Sequence, residues 1–317
     1  MPPSQSPFEQ LFDSITKIEP DKGYWFIRTD SGQHFEEFYV NGYIGIGWNY
    51  ITADNIKNLS ISEFKEKIAL NEKLDMSVKK SKGKVTAIYN KIKRFQELKK
   101  NDLVIIPSRS SSRFAFGIVE ESGIYIESDP KGKCDYRKRK KIKWIESKTL
   151  SSLDPIFYQI TVSRHAISSI KKYQNYIDNE TENLYVKDGF GHFVFDIKTK
   201  KDINVDSLVS FIESIRRLTE QINQDFSFGE DISKSSIKLN LQSPGKIDFK
   251  APIGKSVIIL AAILALSNGC TIDSHKLPAN AKDQIEGTMA LHKDTISSIN
   301  KGFKDLDVNM DKINAIN

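Results

Sequence analysis

Apolar and polar positions follow two periods along this chain, and the switches between them mark out its elements. Trp25-Phe26-Ile27-Arg28 and Tyr43-Ile44-Gly45-Ile46-Gly47 read as short strands rich in aromatic and β-branched residues. Ser62 to Leu70 places Phe64 and Ile68 at helical spacing behind a Ser60/Ser62 cap. From about Gly83 to Lys99, Val85, Ile88, Ile92, Phe95 and Leu98 form an apolar stripe opposite lysines, the pattern of an amphipathic helix. That helix ends at Lys100-Asn101-Asp102. Leu103-Val104-Ile105-Ile106 then reads as an interior strand, and across a Ser/Arg loop Phe114-Ala115-Phe116-Gly117-Ile118-Val119 completes a hairpin. Tyr125 and Lys143-Trp144-Ile145 continue the strand pattern, so the first half predicts a small curled sheet or open barrel with flanking helices.

Near Ser163 the texture changes. A helix is predicted from about Arg164 to Ile177, followed by a hairpin of Leu184-Tyr185-Val186 and His192-Phe193-Val194-Phe195-Asp196, with Asp188-Gly189 as turn residues. Val205 to Gln224 carries a helical face of Val205, Leu208, Ile212, Ile215 and Ile222. A second hairpin joins Ile237–Leu241 to Lys246–Phe249 across Ser243-Pro244-Gly245. Ile285, Met289, His292, Ile296, Ile299, Phe303, Leu306, Met310 and Ile313 recur at steps of four and three, a heptad seam that predicts one long helix and self-association through it. The fold class expected is α+β, with domains at residues 1–163 and 164–317.

Length and charge sharpen this. The 317 residues suffice for two domains. The net charge of +6 is modest, but cations gather in two blocks, Lys79–Lys100 and Lys131–Lys148, both in the first half. Two Trp-bearing strands beside cationic sequence are the ingredients of a nucleic-acid surface, with positive groups on phosphates and flat rings against bases. Cys134 and Cys270 have no metal-ligand spacing, so neither a metal site nor a cofactor is expected, and an intracellular, cytoplasmic protein is. Val257 to Leu266 is an unbroken apolar run, yet shorter than the roughly 20 residues that span a bilayer, so it reads as a buried helix rather than a membrane partner.

Taken in order, Tyr24–Arg28, Phe35-Glu36-Glu37-Phe38, Ile44-Gly45-Ile46-Gly47-Trp48, Phe95 with Leu98 through Ile105, Phe116–Val119, and Arg137 with Ile142–Ile145 form a series. It resembles the N-terminal domain of Mrr-type modification-dependent restriction proteins, which is similar to the EVE and YTH members of the PUA-like superfamily. The resemblance covers roughly residues 22 to 160 and implies a small β-barrel that accepts an extruded, often modified, base in an aromatic pocket. It implies Trp48 and Trp25 as cage residues, with Asn49 or Ser108 on the base edge. It further implies that Arg28, Arg109, Arg113, Arg137, Lys138, Arg139 and Lys141 contact phosphates; Trp144 reads as core. DNA is the partner expected, with RNA as the alternative, in a restriction or anti-phage setting.

No catalytic constellation is expected. Asp129 followed by Glu146-Ser147-Lys148 mimics a metal-nuclease spacing only weakly, no phosphate-cradling Gly-x-x-x-x-Gly-Lys stretch exists, and His34, His165, His192 and His275 read as polar surface. A second class of function, an oligomeric or membrane-acting effector with a sensing first domain, would use the Val257 helix instead.

Overall fold

The computed structural model describes residues 7–309 apart from 131, 133, 164, 241–244, 270, 271, 273 and 274. The chain runs α1 (Glu9–Ser14), β1 (Thr16–Ile18), β2 (Tyr24–Ile27), α2 (Phe35–Val40), β3 (Tyr43–Ile46), α3 (Ala53–Asn58), α4 (Ile61–Asn71) and α5 (Lys79–Glu97). Next come β4 (Leu103–Pro107), β5 (Arg113–Val119), β6 (Tyr125–Ile126), β7 (Lys138–Thr149), α6 (Ile156–Thr161), β8 (Ile167–Ser169), α7 (Gln174–Thr181), β9 (Leu184–Lys187) and β10 (Phe190–Ile197). The remainder is α8 (Val205–Asp225), β11 (Ser236–Asn240), β12 (Gly245–Pro252), α9 (Lys255–Ser267), α10 (Ala279–Leu291) and α11 (Lys293–Asp305). The protein is therefore α+β, in two compact units that divide differently from the 1–163 and 164–317 split.

One unit is Asp21–Ile177. Its sheet has the order β3-β7-β5-β4-β2-β8, with β6 beside β7. Both faces are covered. Tyr24, Phe26, Leu103, Ile105, Phe114 and Phe116 point into a core shared with Phe157 of α6, while Ile27, Val104, Ile106 and Ala115 face a second core with Phe64 of α4 and Val85, Ile88, Ile92 and Phe95 of α5. That double burial is why Leu103–Ile106 reads as continuous apolar sequence rather than as an alternation. Ser60 caps α4 with a full capping box, as the sequence predicts. The predicted helix from about 164 to 177 is helical at its end alone, where α7 starts at Gln174: Ile167–Ser169 is an edge strand paired antiparallel with β2, which draws residues up to 177 into this unit, and residue 164 lies outside the described residues.

The other unit joins residues 1–20 to 178–317. The union is physical: β1 pairs in parallel with β9, and Phe8, Leu11 and Ile15 enter the same core as Phe193, Phe195 and α9. Its sheet has the order β1-β9-β10-β12-β11, containing both predicted hairpins; the turn residues Ser243 and Pro244 lie outside the described residues. On the face away from that core lies a polar network. Lys187 Nζ meets Asp178 Oδ2 at 2.6 Å, the Tyr185 hydroxyl donates to Asn179 at 2.7 Å, and His192 Nδ1 lies 3.0 Å from Asp248. Ser256 through Ala265 of α9 are buried, as an all-apolar helix in water must be. Among the described residues no helix is long and apolar enough to cross a membrane.

The predicted single heptad helix is a correction. α10 and α11 break at His292 (φ −110°, ψ 26°), whose Nε2 lies 2.8 Å from Asp225. The bend lets Ile285 on one side and Ile296, Ile299 and Phe303 on the other pack into the unit's own core. Met310 and Ile313 lie outside the described residues.

α9 begins at Gly254 (φ 87°), which carries no side chain to cap it. The buried Glu230 supplies the cap from elsewhere, accepting the Lys255 and Ser256 amides at 2.7 and 3.1 Å. Glu230→Ala is expected to lower unfolding free energy by about 1–3 kcal/mol, through lost charge-assisted bonds at a helix N-terminus. Glu230→Gln should recover part of that loss. Urea midpoints of the three proteins check it.

Candidate functional site

The two edge regions of the Asp21–Ile177 sheet, β3 at one end of the order and β2-β8 at the other, line one pocket of about 450 Å³. The sheet has curled far enough to bring its edges to the same cavity. Gly45, Ile46, Gly47 and Trp48 come from β3 and the turn after it; Ile27 and Arg28 come from β2, and Ala166 and Ile167 from the β8 edge. Asp30, Ser31, Lys91 of α5 and Tyr136 complete the lining. The volume lies in the range of about 300–1,000 Å³ usual for small-molecule pockets.

The glycines of β3 have a specific use. A Cβ on Gly45 or Gly47 would stand 3.1 or 3.2 Å from Tyr136, so the bare backbone lets this ring lie flat along the strand. The large group that approaches the glycines is therefore Tyr136 from the chain itself. Burial and the negative charge of Asp30 push the Tyr136 hydroxyl up to about 12, which keeps it a proton donor.

Trp48 is held in the left-handed region at φ 56°. For a bulky side chain that costs about 1–2 kcal/mol, so something must over-determine it. Its carbonyl accepts from the Ile51 amide at 3.0 Å and from the ammonium of Lys138 at 2.7 Å; the same ammonium donates to Ile51 O at 3.1 Å. Two further rim residues, Asp30 (φ 48°) and Ser31 (φ 54°), are also left-handed. Three strained side-chain-bearing residues on one pocket are the kind of concentration found at ligand clamps.

The predicted base-contacting set separates. Trp48 lines the pocket, half-buried. Trp25 does not: its indole donates to Asp102 at 2.9 Å, and Asp102 also accepts the Gly23 and Lys99 amides, so this ring fixes the junction between α5 and β4. Asn49 donates to Asp135 O and accepts from the Arg137 amide, tying down the loop that carries Tyr136. Ser108 accepts the Arg113 amide within its own loop. Trp144 donates to Phe38 O at 2.9 Å from the core.

The predicted phosphate-binding run is also redistributed. The N-terminal half of β7 is paired along both edges, with β3 on one side and β6 on the other. Lys138, Arg139 and Lys140 are buried rather than free for phosphates. Lys140 donates to Leu98 O at 2.8 Å and to Ser122 O, and Arg139 lies 4.0 Å over the Tyr43 ring with its Nε on Tyr136 O. Lys141 pairs with Glu121 at 3.2 Å, Arg113 lies near Glu36 at 3.7 Å and over Phe35, and Arg28 donates to Thr161 O and Ser163 O. Arg109 and Arg137 are exposed. Glu146 and Lys148 form a 2.7 Å ion pair, and among the described residues no group of three His, Cys, Asp or Glu could hold a metal ion.

The Lys79–Lys100 block, read from the sequence as cationic surface but given no phosphate contacts, forms α5, and the approach to Tyr136 was not foreseen. Lys80, Lys84, Lys91 and Arg94 fall within about 80° of one another around the helix axis and span about 21 Å along it. Lys91 Nζ sits 5.3 Å from the Trp48 ring centre, and Arg94 donates to Ile167 O at 3.4 Å, so this cationic stripe ends at the pocket. α5 has no acid in its first turn, which gathers lysines where the helix dipole disfavours them. His34, expected at the surface, is 8% exposed, stacked on Phe38 and edge-on to Tyr136. The lysines opposite the apolar stripe were legible in the sequence, but their ending at Trp48 was not; no local pattern marks Tyr136 or His34.

Burial pushes Lys138 and Lys140 down to about 8. An unfolded lysine keeps its proton to about pH 10.4, so between these values the unfolded chain binds more protons and stability rises with pH. Urea unfolding is expected to show a gain from about pH 8 to pH 10 that shrinks in Lys140→Met, measured against the parent at each pH.

A protein-family model described as a domain of unknown function (DUF8426) matches residues 25–171, which covers every pocket residue. No curated protein and no solved structure matches the chain.

Proposed function

We propose that the Asp21–Ile177 unit is a nucleic-acid sensor of the PUA-like kind, which receives one base, modified or otherwise unusual, extruded from DNA. The observation that carries this reading is the conformationally clamped Trp48, facing a pocket at the end of the α5 cationic stripe. An extruded base costs a few kcal/mol of lost stacking and pairing. Stacking on an aromatic face returns about 1–3 kcal/mol, and phosphate contacts along Lys80, Lys84 and Arg94 supply the rest. Strain held in advance at Trp48, Asp30 and Ser31 means the pocket is formed before the base arrives, so little ordering remains to oppose binding.

The resemblance to the N-terminal domain of modification-dependent restriction proteins supports the same reading and suggests a restriction or anti-phage setting. Its residue assignments carry over in altered form: Trp48 remains, Tyr136 replaces Trp25 as the second ring, and the phosphate track moves from β7 to α5.

Binding of short duplexes, with and without a modified base, tests the proposal by fluorescence anisotropy over a salt series. Trp48→Ala is expected to weaken binding about 10- to 100-fold, the loss of one stacked base. Lys84→Ala should weaken all duplexes alike and reduce the slope of log K against log salt by about one. Binding unaffected by both substitutions would overturn it, and tighter binding of single-stranded RNA would redirect it.

A further inference from the structure

The geometry points to Lys138 and Asn49 as positioning residues of this site: neither lines the pocket, yet between them they fasten the segment that carries Trp48 to the segment that carries Tyr136, so that both rings are in place before a base arrives. This rests on the base-pocket reading above and deepens it.

The fastening is reciprocal. From β7, the Lys138 ammonium donates to Trp48 O at 2.7 Å and to Ile51 O at 3.1 Å, gripping the turn on either side of Asn49. From that turn, Asn49 Nδ2 donates to Asp135 O at 2.9 Å while its Oδ1 accepts the Arg137 amide at 3.1 Å, gripping the chain on either side of Tyr136. Each side chain therefore holds the backbone that flanks a residue of the opposing segment. The two rings sit on this clasp. Tyr136 lies along Gly45 and Gly47, where a Cβ would stand 3.1 or 3.2 Å from it, and Trp48 directly follows Gly47.

A role in packing alone does not account for a lysine here. Lys138 is 1% exposed, burial pushes its pKa down to about 8, and its hydrogen bonds go to carbonyls with no carboxylate among them. An apolar side chain of similar volume would avoid that desolvation. What it could not do is hold two backbone carbonyls at once, and the one at 2.7 Å belongs to the residue kept at φ 56°. A left-handed tryptophan persists only where its surroundings over-determine it. Side chains ordered beforehand lose less freedom on binding, so Lys138 and Asn49 raise affinity without touching the ligand.

The test uses the full chain labelled with 5-fluorotryptophan, together with the duplexes of the anisotropy series. Of the three fluorine signals, that of Trp48 is the one lost in Trp48→Ala. Lys138→Met keeps the apolar stem and removes the ammonium. It is expected to shift or broaden the Trp48 signal more than those of Trp25 and Trp144, and to weaken binding about 2- to 10-fold, the effect of one side chain left to be ordered on binding. The slope of log K against log salt should stay that of the parent, because a buried ammonium releases no counterion. In the Trp48→Ala background the same substitution should change affinity by less than about twofold, since its effect runs through that ring. Asn49→Ala, which removes no buried charge, should give the same pattern and serves should Lys138→Met fail to fold.

An unmoved Trp48 signal overturns the inference. So does a salt slope reduced by about one, which would make Lys138 a phosphate contact, or an equal loss in the Trp48→Ala background, which would place its effect elsewhere. Unchanged binding in Lys138→Met where Trp48→Ala weakens it overturns the positioning role as well. If the Trp48 signal moves while neither substitution alters binding, the clasp stands and the base-pocket reading falls.

Discussion

A lysine ammonium buried behind β3 donates to the carbonyls of Trp48 and Ile51, and the candidate site takes its form from those two bonds. Taking an ammonium out of water costs several kcal/mol even after relaxation, and nothing of opposite charge accompanies Lys138 in its bonds. Two carbonyl acceptors compensate in part. In return, a tryptophan is kept in a backbone conformation that it would not adopt alone, with its ring at a pocket rather than in the core. Removing the ammonium would leave the Ile51 carbonyl without this donor and the Trp48 carbonyl with the Ile51 amide alone, so side-chain placement and local stability are coupled through one residue.

The curl of the sheet supplies the rest. Because β3 and the β2-β8 edge reach the same cavity, residues from opposite ends of the strand order can act on one ligand. Small residues make this possible at two places. Gly45 and Gly47 admit Tyr136, while Gly117, which would otherwise collide with Ile142 and Trp144, lets β5 and β7 pair through an irregularity between Phe116 and Gly117. Bulges of this kind sharpen strand bending and are common where sheets curl. α5 then contributes both its apolar stripe, to the core, and its cationic stripe, to the pocket end.

The other unit follows a different logic. Its central helix α9 is apolar on every side and needs enclosure, which α8, the sheet, the two C-terminal helices and the N-terminal segment provide together. The seam with heptad spacing is used for that enclosure. On the opposite sheet face a polar network lies where Lys187, Asp178, Tyr185, Asn179, His192 and Asp248 satisfy one another. Such networks favour one packing arrangement because a half-satisfied alternative would leave charges buried without partners.

Local periodicity was enough to find β2, β3, β4, β5, α4, α5, α8 and α9, because each carries its own apolar pattern or cap within a few residues. It also singled out Trp48, since a glycine-bearing strand ending in a large aromatic is visible in one dimension. It could not tell that Lys138, Arg139 and Lys140 turn inward, because a run of cations looks solvent-exposed until the Trp48 and Leu98 carbonyls and the Tyr43 ring are brought to it from distant sequence. Nor could it separate Trp25 from Trp48: the partner that fixes Trp25 is Asp102, 77 positions away. Tyr136, Asp30 and the break at His292 belong with these, set by contacts across the fold. The sequence by itself determined which segments are helix or strand and which residues are apolar enough to be enclosed; the tertiary structure alone decided which charges and rings face the pocket, because that depends on what each segment packs against.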